Sequence, residues 1–194
     1  MKAIMISIKP KYVAKILNGE KTIEIRRTMP KCDLPIDVYI YCTKEDSLSI
    51  LKTYPKDTYV CEQEFKCDDF PYLCSGYEGK GKVVAKFTLN KVEEIETCER
   101  HNPELLKQSC LNAVEFYAYL TKGKNFLGQV LGYAWHISNL EIFDKPKELS
   151  EFLKPKWHCY RSGCPHFETP SCNINKCKPK APQSWCYVEV DQPK

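Results

Sequence analysis

Hydrophobic positions along the chain change period several times, and each change predicts an element. Residues 3–8 form a short apolar run, which predicts a first strand. From Pro10 to Asn18 the apolar residues Tyr12, Val13, Ile16 and Leu17 recur at helical spacing. Pro10 suits a first helical turn and Gly19 suits a left-handed closing residue. From Thr22 the period becomes two: Ile23 and Ile25 point one way, Thr22, Glu24 and Arg26 the other. Further alternation predicts strands over residues 36–42 and 82–89, across 130–143, and over 182–190. Asn102-Pro103 opens one long helical pattern through Leu106, Cys110, Val114, Tyr117 and Leu120, closed by Gly123. Its run Phe116 to Tyr119 reads as core packing. A last helix is predicted after Lys147, through Leu149, Phe152 and Leu153. Ser47 to Leu51 has the pattern of a short helix inside an irregular stretch, 44–81.

Composition narrows the setting. With 194 residues and 43% hydrophobic content, the chain can bury the core of one domain with an appendage. No stretch approaches the roughly 20 apolar residues of a membrane span, and the N-terminus lacks the plan of a secretory signal. A cytoplasmic location is therefore expected, where the twelve cysteines are thiols or metal ligands rather than disulfides. The net charge is only +4, but residues 1–30 carry +5, residues 31–150 carry −4 and residues 151–180 carry +4. If the two basic ends meet, they make one positive face suited to phosphate contact. The plainer reading is lysines decorating surface helices.

The densest chemistry is Gly19-Glu20-Lys21-Thr22-Ile23-Glu24-Ile25-Arg26-Arg27, at the predicted helix-to-strand corner. Lys21 sits in the turn, and Glu24 and Arg26 share one strand face. Such a group either holds an anionic, polar ligand or forms a solvated charge ladder worth a few tenths of a kcal/mol. Tyr39 and Tyr41 share a face of the third predicted strand, either to stack on a base or to pack with a wet hydroxyl. His136 is read as a hydrogen-bonded structural residue or, less simply, a site residue.

The pattern G-x-K-x-x-E-x-R, following a helix that begins Ser7-Ile8-Lys9-Pro10, resembles the signature of the ASCH family, of phage or bacterial type, a branch of the PUA-like superfamily. Val92-Glu93-Glu94, the Y-A-x-x-I of Tyr133 to Ile137, Pro146-x-x-Leu149-x-x-Phe152 and the closing Ser184-Trp185-x-Tyr187-Val188-Glu189 resemble it too. The resemblance covers residues 4–43, 82–96, 130–153 and 182–190. It implies an α+β fold, a PUA-like mixed β-barrel with flanking helices and loop insertions. It also implies a protein that binds RNA or a nucleoside or nucleotide, with Lys9, Lys21, Glu24, Arg26 and Tyr41 as ligand-binding residues. Some relatives are amidohydrolases that deacetylate acetylated cytidine with a lysine, a threonine and a glutamate. Lys21 matches that lysine, Glu24 stands in place of the threonine, and Glu93 or Glu94 is the candidate glutamate. If the chain is an enzyme of this kind, or a nuclease as other relatives are, Lys21 and Glu24 are its catalytic residues.

Two cysteine groups remain. Cys61, Cys67 and Cys74 lie among carboxylates at spacings that match no familiar metal module. Cys159-x4-Cys164 and Cys172-x4-Cys177 stand in a basic, proline-rich tail beside His158 and His166. They are the candidate ligands of one structural zinc, which would make the tail a staple or a protein-interaction module. The expected organisation is an ASCH/PUA-like domain of residues 1–153 plus 182–194, with 154–181 as a Cys-rich insertion.

Overall fold

The first strand, β1 (Lys2–Ile8), is paired on both sides, and every residue after Lys2 is buried. It runs parallel to β3 (Ile36–Cys42) and antiparallel to β8 (Trp185–Glu189), so sequence from both ends of the chain meets in one sheet. β3 pairs antiparallel with β4 (Val83–Leu89), and β4 with β7 (Ser138–Lys147), giving the order β7-β4-β3-β1-β8. A second sheet has the order β2-β6-β5, from β2 (Ile23–Arg26), β5 (Val92–Glu96) and β6 (Leu131–His136). These facts come from a computed structural model that describes residues 2–44, 79–122, 130–153 and 180–190. With α1 (Pro10–Leu17), α2 (Pro103–Ser109) and α3 (Ala113–Thr121), the described residues form an α+β fold of eight strands and three helices.

Two bent strands join the sheets. β4 continues into β5, and β6 into β7, whose second residue, Asn139, has a φ of 49°. Nearly one antiparallel register runs through both bends: Ala85 faces Ile142, Lys86 faces Glu141, Val92 faces Trp135 and Glu96 faces Leu131. Going round the molecule, the order is therefore β8, β1, β3, β4–β5, β6–β7 and β2. The expected barrel does not close, because among the described residues no ladder joins β2 to β8. Side chains cross that seam instead. Arg26 on β2 donates to the Ser7 carbonyl (2.7 Å) and to Ser184 Oγ (3.2 Å), and Trp185 Nε1 donates to Thr28 Oγ1 (3.0 Å).

Three apolar clusters hold these layers. α1 packs Val13, Ile16 and Leu17 against Ile4, Ile6, Val38, Phe87 and Trp135, filling the space between the sheets. The other face of the larger sheet buries Met5, Tyr39, Tyr41, Phe143 and Phe152. The outer face of the smaller sheet buries Ile23, Ile25 and Ala134 beneath Leu105, Phe116 and Leu120 of α2 and α3.

The sequence reading needs four corrections besides the barrel. The single helix from Asn102 is two, because Cys110 takes a left-handed φ of 51° and Asn112 starts α3 with a capping box. Asn112 Oδ1 accepts from the Glu115 amide (2.8 Å), while Glu115 accepts from the Asn112 amide (3.1 Å). After Lys145 the chain stays in β7 to Lys147, then makes only a 3₁₀ turn, Leu149–Glu151. Strict alternation over 82–89 would put Val83 on the face of Ala85, and it does not lie there. Ile40 faces Ala85 and Tyr41 faces Val83, so Val84 is the extra residue of a bulge that turns Val83 to the opposite core. Tyr41 is buried in that same far cluster, because β3 carries both its faces inside. The predicted helix at Ser47 and Gly123 lie outside the described residues.

Candidate functional site

The corner after α1 is built by its main chain. Gly19 adopts φ 76°, and the amides of Gly19, Glu20 and Lys21 bond back to Ile16 and Lys15 carbonyls at 2.9–3.1 Å. No atom crowds Gly19, so its positive φ alone calls for glycine. The turn drops Lys21 inward, where it is only 3% exposed. Its Nζ donates to the Ser109 carbonyl (2.6 Å), lies 3.2 Å from Glu24 Oε2 and stands 5.4 Å from the centre of the Tyr12 ring. Glu24 Oε1 meets Arg26 Nη2 at 3.1 Å.

Period two holds in β2, but its polar face is not solvated. Ile23 and Ile25 enter the core under α3, while Glu24 and Arg26 turn into the seam and are themselves buried. The carboxylate thus lies between two cations in a low-dielectric setting, where removing one partner is costly. Arg26 Nε and Thr43 Oγ1 are buried with no hydrogen-bond partner among the described residues. Buried donors of this kind are uncommon and call for water or a ligand.

Above this floor the seam opens into a cleft of about 640 Å³. Glu24 and Arg26 line its base, and Ser184 and Pro182 form one wall. Lys9 and Lys11 from the start of α1, Arg27 after β2, Lys44 after β3 and Lys122 after α3 reach it from around the rim. Tyr12 and Tyr119 also line it, with Lys11 and Arg27 standing over their respective rings at 4.6 and 6.0 Å. Burial pushes the Tyr119 phenol above its ordinary value, with the nearby Arg26 acting the other way. The Lys11 ammonium is raised first by Tyr12; burial acts against this, and Glu115 at 3.2 Å adds to the rise. Gly81, at φ 73°, has only hydrogen where a Cβ would lie 2.5 Å from Lys44 Cε, so the lysine stem lies across it.

Of the residues singled out in the sequence, Lys9, Glu24 and Arg26 line the cleft together. Lys21 sits behind Glu24 and takes no part in the lining. Tyr41 lies across the sheet, its phenol pushed up by burial. Glu93 is on the second sheet, 2.6 Å from both Lys91 Nζ and His136 Nε2, and Glu94 is exposed beside it. Cys61, Cys67, Cys74 and the candidate zinc ligands Cys159, Cys164, Cys172 and Cys177 lie outside the described residues. Among the described residues no group of three His, Cys, Asp or Glu is placed to hold a metal ion. No helix among them is long and apolar enough to cross a membrane. The sequence reading passed over Tyr12, Lys44, Tyr119 and Lys122. Their alternation and spacing are those of ordinary packing or surface residues, and only the fold gathers them.

A family model described as ASCH domain matches residues 6–160. In three dimensions the chain is similar to the crystal structure of ASCH from Zymomonas mobilis. The TM-score is 0.53 at 14% identity, over 96% of this chain and 87% of that one. A mutant form of the same Zymomonas mobilis protein gives 0.53 and 14%, over 97% and 91%. At that identity the likeness concerns the fold. No curated protein matches the chain.

Proposed function

This chain belongs to the ASCH domain family, and from that premise we propose that the seam cleft binds RNA by holding one nucleotide. ASCH domains are RNA-binding-like as a class, which sets the kind of ligand. The observation that carries the reading is one carboxylate, Glu24, at the base of a cleft ringed by Lys9, Lys11, Arg27, Lys44 and Lys122. Rim cations meet phosphate, which positions a strand without reading it. Glu24 uses one oxygen on Lys21 and one on Arg26, and each keeps room to accept from a base amino group or a ribose hydroxyl. The Arg26 Nε–H supplies a donor beside that acceptor. Tyr12 and Tyr119 offer faces against which an unstacked base can lie. Lys21 acts through Glu24 as a positioning residue, its ammonium being turned to Ser109 and away from the lining.

The test is fluorescence anisotropy with a labelled single-stranded RNA, titrated between 50 and 200 mM salt. Lys44→Ala and Lys122→Ala should each weaken binding and lower the salt slope by about 0.7. Glu24→Gln should alter discrimination among the four bases more than it alters the slope. Unchanged affinity and slope in the Lys44→Ala/Lys122→Ala protein would rule the cleft out as the RNA site.

A further inference from the structure

The open seam does not stop at the cleft. Two segments run along it side by side: Ser184 and the start of β8 to Tyr187, and the stretch after β2 from Arg27 to Asp33. Arg27 and Ser184 line the cleft. Next, Trp185 Nε1 donates to Thr28 Oγ1 at 3.0 Å. Beyond that stands Tyr187, with Lys31 and Cys32 close to its phenol. The seam then widens into a second hollow of about 680 Å³, lined by Lys2, Lys31, Cys32, Asp33, Pro35 and Ile36.

Tyr187 does not line this hollow but adjoins it through Lys2, Lys31 and Cys32. It faces the same side as Trp185, since the two lie opposite Ile4 and Ile6 of β1. Trp185 holds it edge-on at a centroid distance of 5.6 Å and 85°, and the Lys2 ammonium lies 4.1 Å from its centroid. The ring is nonetheless 38% exposed, and Met29 beside the seam is 45% exposed. A tyrosine propped by a neighbouring indole loses little freedom when something stacks on it. Lys2 and Lys31 are offset by Asp33 and Glu189, so the hollow is close to neutral. What this part of the seam offers is a ring rather than a strong field. From Ser184 to Tyr187 is three residues of strand, roughly 10 Å.

We propose that this strip is a second subsite, in which Tyr187 stacks a base of the single-stranded RNA whose neighbouring nucleotide occupies the cleft. It rests on the RNA reading of the cleft. It adds that the seam takes a strand, with Lys2 and Lys31 beside its phosphates. Base stacking on an aromatic side chain tolerates any sequence, so the subsite lengthens the footprint without narrowing the sequence preference.

The experiment compares two probes on the full chain: each ribonucleoside 5′-monophosphate, and a random-sequence single-stranded RNA octamer carrying a fluorophore. Tyr187→Ala should weaken octamer binding about tenfold and leave monophosphate binding unchanged. Tyr187→Trp should restore octamer binding, and both variants should keep the parent melting temperature. Octamer affinity unchanged in Tyr187→Ala, or an equal loss for both probes, overturns the second subsite while the cleft reading stands. Failure of the parent protein to bind either probe overturns the cleft reading, and the subsite with it.

Discussion

Lys21, Glu24 and Arg26 show how far a motif can be read and where reading ends. Their spacing places a carboxylate and a guanidinium on one strand face, and the structure keeps them there. Their burial was not legible, because Ser109 and Ser184, which cap the two cations, lie 88 and 158 residues away in sequence. Burial changes what a substitution should do. Lys21→Met leaves Glu24 with one partner in a dry setting and should cost about 3–5 kcal/mol in urea denaturation. Adding Glu24→Gln should give back part of that loss, since the unpaired charge is gone. Additive losses would mean that the pair is not coupled. The same geometry bears on catalysis: an ammonium turned toward Ser109 is not presented to a substrate. Acetylated cytidine should therefore be returned intact by the purified protein. Acetate release that disappears in a folded Lys21 variant would make Lys21 catalytic.

At the scale of elements, apolar periodicity was a sound guide to where strands and α1 lie, even in β1 and β3, which bury both faces. β3 begins and ends at the residues that alternation marks, and β1, α1, β4 and β8 differ only by a residue or a few at their ends. Two of the misreadings share one cause: apolar residues at helical or strand spacing across a backbone irregularity. Val84 bulges out of β4, and Cys110 closes α2 in the middle of a continuous apolar pattern. The second break did leave a mark, since Asn112 and Glu115 have the spacing of a capping box. Because Cys110 holds a φ that costs a side chain energy, Cys110→Gly should raise stability by up to about 1 kcal/mol, seen as a higher melting temperature. A lower one would mean that the thiol's contact with the Lys107 carbonyl at 3.6 Å outweighs the backbone gain.

For the whole molecule, the family resemblance implied a closed barrel, and the chain stops short of closing. Among the described residues β2 pairs with β6 alone, so the contact across the seam to β8 is left to side chains. That gap is where the cleft lies, and no local pattern reports a gap. If RNA lies along it, binding links β2 and its following segment to β8. At one hundred times the dissociation constant this should add about 2.7 kcal/mol to stability. Amide hydrogen exchange should slow in residues 27–33 and 180–190, and protection confined to the helices would place the RNA elsewhere. The same seam sets a clock on biosynthesis. Arg26 and Ser7 leave the ribosome early, whereas Ser184, their partner across the opening, emerges 158 residues after Arg26. At about 5–20 residues per second that is a wait of roughly 8–30 s. Through that interval β1 lacks its outer neighbour and the Arg26 guanidinium one of its acceptors. A nascent chain therefore carries the motif long before it carries the wall of the cleft that Ser184 supplies.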